Sequence, residues 1–157
     1  MAVTFPAEIE RVLLRLDERR ARGERIVVAS GCFDLLHVGH VRYLEVARGL
    51  GDTLVVLVSD DASVRRLKGP GRPVIPATER AEVLRALRVV DEVIVHVQKW
   101  LMPLLDRIRP AVFAKGSDYE EFPCERFEGV VERIVFVGGK AGVSTSEIIR
   151  RCARPGE

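Results

Sequence analysis

Gly31-Cys32-Phe33-Asp34-Leu35-Leu36-His37-Val38-Gly39-His40 is the stretch on which the fold turns. Before it lies the apolar run Ile26-Val27-Val28-Ala29, which has no polar alternation and so fits a parallel strand buried on both faces. After it, residues 41–50 carry apolar side chains at helical spacing. A strand feeding a helix in this way places two histidines at a helix N-terminus, where free backbone N–H groups and the positive end of the dipole favour an anion. His37 and His40 are three residues apart and can share one side of the first turn. Gly39 keeps Cβ atoms away, so that phosphates can approach the backbone. A phosphate-holding turn is the expectation. Two other readings stay open: a zinc site from Cys32, Asp34, His37 and His40, for which no second Cys/His cluster supplies closure, and a pair of core histidines with one ring pinned by a backbone carbonyl.

Outward from this turn, strand and helix signals alternate. Residues 6–23 open on proline, set Ile9, Val12, Leu13, Leu14 and Leu16 at helical spacing and close on glycine, which predicts a helix capping one face of a sheet. Strands are predicted over about 25–30, 53–58, 92–97, 111–114 and 133–137. Ser59-Asp60-Asp61 can cap a short helix over 62–67, and Thr78 a helix over 79–89 whose Val83, Leu84 and Leu87 share a face. Residues 99–108 read as a helix with Pro103 in its first turn, and Ser144-Thr145-Ser146 supply the cap of a last helix. Lys68-Gly69-Pro70-Gly71-Arg72-Pro73 reads as a mobile surface loop. Residues 120–130 show no period. The alternation predicts an α/β fold: a single Rossmann-like domain over 1–157, with a five-stranded, mainly parallel sheet, helices on both faces and the N-terminal helix of 1–23 packed on it.

In such sheets ligands sit at the carboxyl ends of the strands. The polar, glycine-bearing segments 31–40, 68–72, 115–119 and 138–146 all follow a strand end or lie in a loop on that side, which argues for one site. Lys68, Arg72 and Lys115 are its cations, a set suited to neutralising a polyphosphate. Each alone is weak evidence, because Lys68 and Arg72 could sit on a solvated loop and Ser144, Thr145 and Ser146 could be an ordinary N-cap.

Composition bounds the rest. The chain has 157 residues, 47% hydrophobic and 31% charged, which is long enough for one domain with a full sheet core. A net charge of +2 with both signs interspersed gives no nucleic-acid footprint. Cys32, Cys124 and Cys152 cannot all pair within the chain and lack metal spacing, so free thiols in a reducing compartment fit best. No signal peptide or apolar span of membrane length is read, and a cytoplasmic protein is expected.

The first motif, together with Ser144-Thr145-Ser146-x-Ile148-Ile149 opening the last helix, resembles the small nucleotidyltransferases of the cytidylyltransferase-like superfamily, over about residues 25–151. Within it, Arg66-Leu67-Lys68-Gly69-x-x-Arg72-Pro73-Val74 and Lys115-Gly116-Ser117-Asp118-Tyr119 look like the heptose 1-phosphate adenylyltransferases, often fused to a sugar kinase that is not seen here. Glycerol-3-phosphate cytidylyltransferases are the rival: their last motif usually reads Arg-Thr-x-Gly-Ile-Ser-Thr-Thr, whereas this chain has Gly139-Lys140-Ala141-Gly142-Val143-Ser144-Thr145-Ser146, without the arginine. Ser117 departs from the glycine common in the heptose enzymes.

The resemblance implies attack by a sugar phosphate oxygen on the α-phosphorus of a nucleoside triphosphate, with pyrophosphate leaving. A phosphate monoester is largely dianionic at pH 7, with a second pKa of about 6, so no general base is required. By the same resemblance His37 and His40 contact the phosphates, Lys68 acts with them in catalysis, and Arg72 meets the triphosphate or the acceptor. Gly31, Cys32, Phe33, Asp34, Gly39, Lys115, Gly116 and Asp118 line the nucleotide and phosphate site, and Ser144, Thr145 and Ser146 hold the β and γ phosphates. Asp34 could orient a histidine or a magnesium-bound water. Mg2+ is expected as the triphosphate's companion. The partners are then a nucleoside triphosphate and a sugar phosphate, without nucleic acid or membrane, in a homodimer. An aminoacyl-tRNA synthetase fragment shares the His-x-Gly-His logic but would need a basic stripe and a lysine-rich second signature. A nucleotide-sensing module that binds without turnover is the non-enzymatic alternative.

Overall fold

The computed structural model describes residues 3–116, 123–138 and 144–153. Its elements are α1 (Ala7–Ala21), β1 (Ile26–Gly31), α2 (Val38–Arg48), β2 (Thr53–Ser59), α3 (Asp61–Lys68), α4 (Ala77–Arg85), β3 (Glu92–His96), α5 (Leu101–Ile108), β4 (Val112–Gly116), β5 (Arg133–Val137) and α6 (Thr145–Cys152). Short 3-10 turns, Gln98–Trp100 and Cys124–Phe127, precede α5 and β5.

The strands lie in the order β3-β2-β1-β4-β5, and every pairing is parallel. The chain therefore leaves β1 for β2 and β3 on one side, then returns to place β4 on the other. Strand order reverses between β1 and β4, and all carboxyl ends share one edge, so the crevice expected of an open α/β sheet opens at the end of β1.

Side chains alternate across the sheet with a period of two. Val28, Leu57, Ile94 and Phe113 face Leu13 and Leu16 of α1 and Leu104, Leu105 and Ile108 of α5. Val27, Val56, Val93 and Val112 face Leu44 and Ala47 of α2 and Ala81 and Leu84 of α4. Burying a leucine such as Leu13 or Leu16 stabilises by about 1.5–3 kcal/mol, so α1 belongs to the same core rather than standing apart from it. Phe127 enters that core against Phe113 with ring centroids 5.3 Å apart, which gives part of the stretch without a period a packing role.

Several expected details are corrected. The helix expected over 41–50 begins three residues earlier, at Val38, because His37 itself serves as N-cap. Thr78 is no cap: Pro76 precedes the first turn of α4 and no side chain caps it. Leu14 and Val83 point outward, at 59% and 46% exposure, so neither belongs to the buried face assigned to it. Pro103 does lie in the first turn of α5, where its missing N–H is one of the unpaired groups anyway.

Candidate active site

The turn between β1 and α2 is shaped by Phe33. Its backbone sits at φ +49°, a left-handed conformation uncommon for a bulky residue, and its ring is buried against Tyr43 and the edge of His40. A Cβ at Gly31 would meet this ring at 3.0 Å. Gly31 thus makes room for Phe33. Strain of this kind persists only where packing over-determines it, and it clusters at functional sites.

The two histidines stack, ring centroids 3.9 Å apart and planes 24° from parallel. His37 Nδ1 accepts a hydrogen bond from Gly39 N at 3.1 Å. An accepting Nδ1 carries no proton, so neutral His37 bears its hydrogen on Nε2. His40 Nδ1 is fully enclosed and unpaired. Burial pushes the His40 pKa down to about 4, helped by His37 and opposed by the Leu35 carbonyl. Burial lowers His37 as well. At neutral pH the pair is therefore uncharged, one ring N–H each, at the N-terminus of α2. The His37 Nε2 N–H is left as a donor there.

Asp34 does something other than orient a histidine. It is 2% exposed, and its carboxylate accepts from Arg72 Nε at 2.5 Å, Val74 N at 2.8 Å and Ile75 N at 3.0 Å. The carboxylate anchors the segment before α4 to the β1–α2 turn. The reading of 68–73 as a mobile surface loop is accordingly corrected at Arg72, whose side chain is only 12% exposed. With Asp34 turned to Arg72, the zinc reading of Cys32, Asp34, His37 and His40 loses a ligand, and no cluster of three or more His, Cys, Asp or Glu among the described residues could hold a metal.

Arg80 is the residue that sequence reasoning missed. Its side chain is fully buried, and it donates from Nε to Ile75 O at 2.8 Å, from Nη1 to Cys32 O at 2.5 Å and from Nη2 to Asp61 Oδ1 at 2.7 Å. One guanidinium joins the β1–α2 turn, the segment before α4 and the start of α3. The available signal was an arginine on the apolar face of α4, beside Ala81 and Leu84.

Lys115, at the end of β4, is 7% exposed. Its Nζ donates to Ser30 Oγ at 3.2 Å and lies 5.6 Å from the Phe113 ring centroid. Burial pushes its pKa down to about 8. Gly116 follows with open space where a Cβ would project. On the far side, Ser144 caps α6 by accepting from Glu147 N at 3.1 Å, and Thr145 Oγ1 reaches Leu35 O at 3.4 Å. The first residue of α6 is thereby placed beside Leu35 of the β1–α2 turn. Lys68 is the exposed last residue of α3, while Cys32 and Gly39 lie partly open in the turn and Ser146 is exposed in the first turn of α6. Asp118 lies outside the described residues.

The parallel sheet thus carries a His-x-Gly-His turn at its switch point, with the first residue of α6 tied to that turn. The chain belongs to the family described as Cytidylyltransferase-like, whose model matches residues 28–151. Among curated proteins it is similar to the Bifunctional protein HldE of Syntrophotalea carbinolica, 46% identical over 142 residues, covering 87% of this chain and 28% of that protein. The Bifunctional protein HldE of Azotobacter vinelandii is 52% identical over 111 residues, covering 71% and 23%. The chain thus spans under a third of the length of these relatives. Among solved structures, the lipopolysaccharide core biosynthesis protein from Thermoplasma volcanium GSS1 superposes with a TM-score of 0.67 at 27% identity, covering 75% of this chain and 100% of that one.

Proposed function

We propose that the protein transfers a nucleoside monophosphate from ATP to a sugar 1-phosphate, heptose 1-phosphate in the first instance, releasing pyrophosphate and giving ADP-heptose. The observation that carries the reading is the stacked, uncharged histidine pair at the N-terminus of α2, with the capped start of α6 tied to the same turn. The relatives named HldE and the neighbour titled for lipopolysaccharide core biosynthesis support a sugar acceptor over a polyol. The choice of ATP over CTP rests on Lys115 and on the absence of an arginine before Ser144 at the place where glycerol-3-phosphate cytidylyltransferases carry one.

An oxygen of the acceptor's phosphate attacks the α-phosphorus, the bond from the α-phosphorus to the bridging oxygen breaks, and pyrophosphate departs with that electron pair. Since the nucleophile is already ionised, the protein's work is placement and charge stabilisation. His37 and His40 meet the oxygens at the α-phosphorus, His37 through its Nε2 N–H. The start of α6, with Ser144, Thr145 and Ser146, receives the β and γ phosphates. Arg72, held by Asp34 through Nε, keeps its outer nitrogens for phosphate, and Lys68, exposed at the end of α3, is the further cation of the reading. Mg2+ would be carried by the triphosphate: both Asp34 oxygens are engaged, and an ion that keeps its waters and binds phosphate oxygens would suit a site whose described residues offer no carboxylate cage. A homodimer in the cytoplasm completes the proposal.

The test is a matrix of the four nucleoside triphosphates against heptose 1-phosphate, other sugar 1-phosphates and glycerol 3-phosphate, reading pyrophosphate and the mass of the product. ADP-heptose is the expected product. Nucleotide binding without pyrophosphate from any acceptor would instead make the chain a nucleotide-sensing module.

A further inference from the structure

Four polar side chains stand at the carboxyl ends of four adjacent strands. Val28, Leu57, Ile94 and Phe113 face α1 and α5, and the residue two positions beyond each of them is Ser30, Ser59, His96 and Lys115. By the period-two rule all four point to that same face. Ser59 is paired with His96 in register, and Lys115 bonds Ser30, so the row runs from β3 through β2 and β1 to β4 above an apolar floor. The histidine turn and Lys115 are already assigned to phosphates. Ser59 and His96 have no such duty.

Their chemistry is specific. His96 is 2% exposed and Ser59 7%. His96 Nδ1 lies 2.9 Å from Val97 O, and since a carbonyl only accepts, Nδ1 holds the proton and Nε2 is a bare acceptor. Burial and the charge of Lys115 lower the His96 pKa, while the Val97 carbonyl and Asp60 oppose them, so the ring stays an acceptor at neutral pH. Neither Nε2 nor the Ser59 hydroxyl has a hydrogen-bond partner among the described residues. A nearly buried acceptor and a hydroxyl side by side, both unpaired, are suited to the hydroxyl groups of a ligand.

In-line displacement decides which ligand. If the leaving pyrophosphate is held at α6, which follows β5, the attacking oxygen must approach the α-phosphorus from the opposite side, over β2 and β3. We infer that Ser59 and His96 form the floor of the acceptor subsite, where His96 Nε2 accepts a hydrogen bond from a hydroxyl of the sugar phosphate. This rests on the proposed transfer reaction.

The experiment compares the wild type with His96→Phe and with Ser59→Ala, which nearly preserves volume. With ATP and heptose 1-phosphate, the acceptor KM is expected to rise about tenfold in His96→Phe and several-fold in Ser59→Ala, with the KM for ATP unchanged. His96→Phe should also lose less than the wild type when one hydroxyl of the acceptor is removed. Calorimetric titration of heptose 1-phosphate, in the presence of a non-hydrolysable ATP analogue, separates this inference from the reaction. Wild type that binds the sugar phosphate without transferring, and loses binding in both variants, would keep the subsite and sink the transferase reading. Turnover with an unaltered acceptor KM in Ser59→Ala and in folded His96→Phe, or equal losses for ATP and acceptor, would overturn the subsite.

Discussion

His40 and Asp34 belong to the same turn, and both are polar groups withdrawn from water, yet their surroundings are opposite. Asp34 has a partner for each oxygen, from Arg72 and from two backbone N–H groups. His40 has an enclosed nitrogen with none. A buried polar group without a partner costs about 1–3 kcal/mol, and one that persists in a folded protein marks a place where packing or function overrides that cost. Within one motif Asp34, Arg72 and Arg80 hold the turn in place, whereas His37 and His40 are, under the proposed function, the residues that meet the substrate.

The comparison breaks most visibly at Asp34. Asp34→Ala leaves the Arg72 charge and two backbone N–H groups unpaired, and is expected to lower stability by about 3–5 kcal/mol, read as a fall in the denaturation midpoint. A stable Asp34→Ala with lost turnover would place Asp34 in the chemistry instead.

The histidines should show the reverse pattern. His37→Ala or His40→Ala is expected to lower turnover by about 10² or more while the melting temperature holds. The pair also fixes a pH window. His40 binds its proton in the unfolded chain near 6.5 but in the folded chain only near 4, so its contribution is fully present above 6.5 and is lost as pH falls toward 4. That loss amounts to roughly 3 kcal/mol. Acid unfolding of His40→Ala should be correspondingly less steep, and identical acid curves would show that His40 titrates as it does in water.

Lys115 sharpens the comparison, being both partnered and charged. Its pKa is lowered from 10.5 to about 8, so below 8 the cost of burying the charge is fully present, and stability should rise as pH passes from about 8 to above 10.5. Anion binding needs the charged form, so kcat/KM should fall above about pH 8, with kcat falling at higher pH because bound phosphate favours the ammonium. Lys115→Ala should abolish that limb, whereas Lys99→Ala, on an exposed 3-10 turn, should leave both parameters intact. The smallest effect belongs to Ser144→Ala, which removes the bond to Glu147 N and should cost about 1 kcal/mol in stability. A larger loss in nucleotide affinity than in stability would show that the cap also touches phosphate.

What the sequence disclosed and what it hid follow one rule. The buried parallel strands were legible because runs such as Leu54 to Val58 are apolar without interruption, and β5 was read at its observed bounds, Arg133–Val137. The cap at Ser144 was legible because a cap is local, with donor and acceptor three residues apart. Asp34 and Arg72 are 38 residues apart, and Arg80 and Cys32 are 48. No local pattern says that such groups meet, so the pairing of Asp34 with Arg72 was not foreseen and Arg80 was passed over. The early start of α2 was hidden for a related reason: a histidine acting as N-cap through its ring looks, in sequence, like a residue outside the helix.

Transfer from ATP is tested most directly by steady-state rates of pyrophosphate release with heptose 1-phosphate and either ATP or CTP at matched magnesium. A pocket that pairs the edge of one base leaves its groups unpaired against another, so the preference should be large. ATP is expected to exceed CTP by at least about tenfold, equivalent to about 1.4 kcal/mol. A clear preference for CTP with any acceptor would contradict the adenylyltransferase assignment.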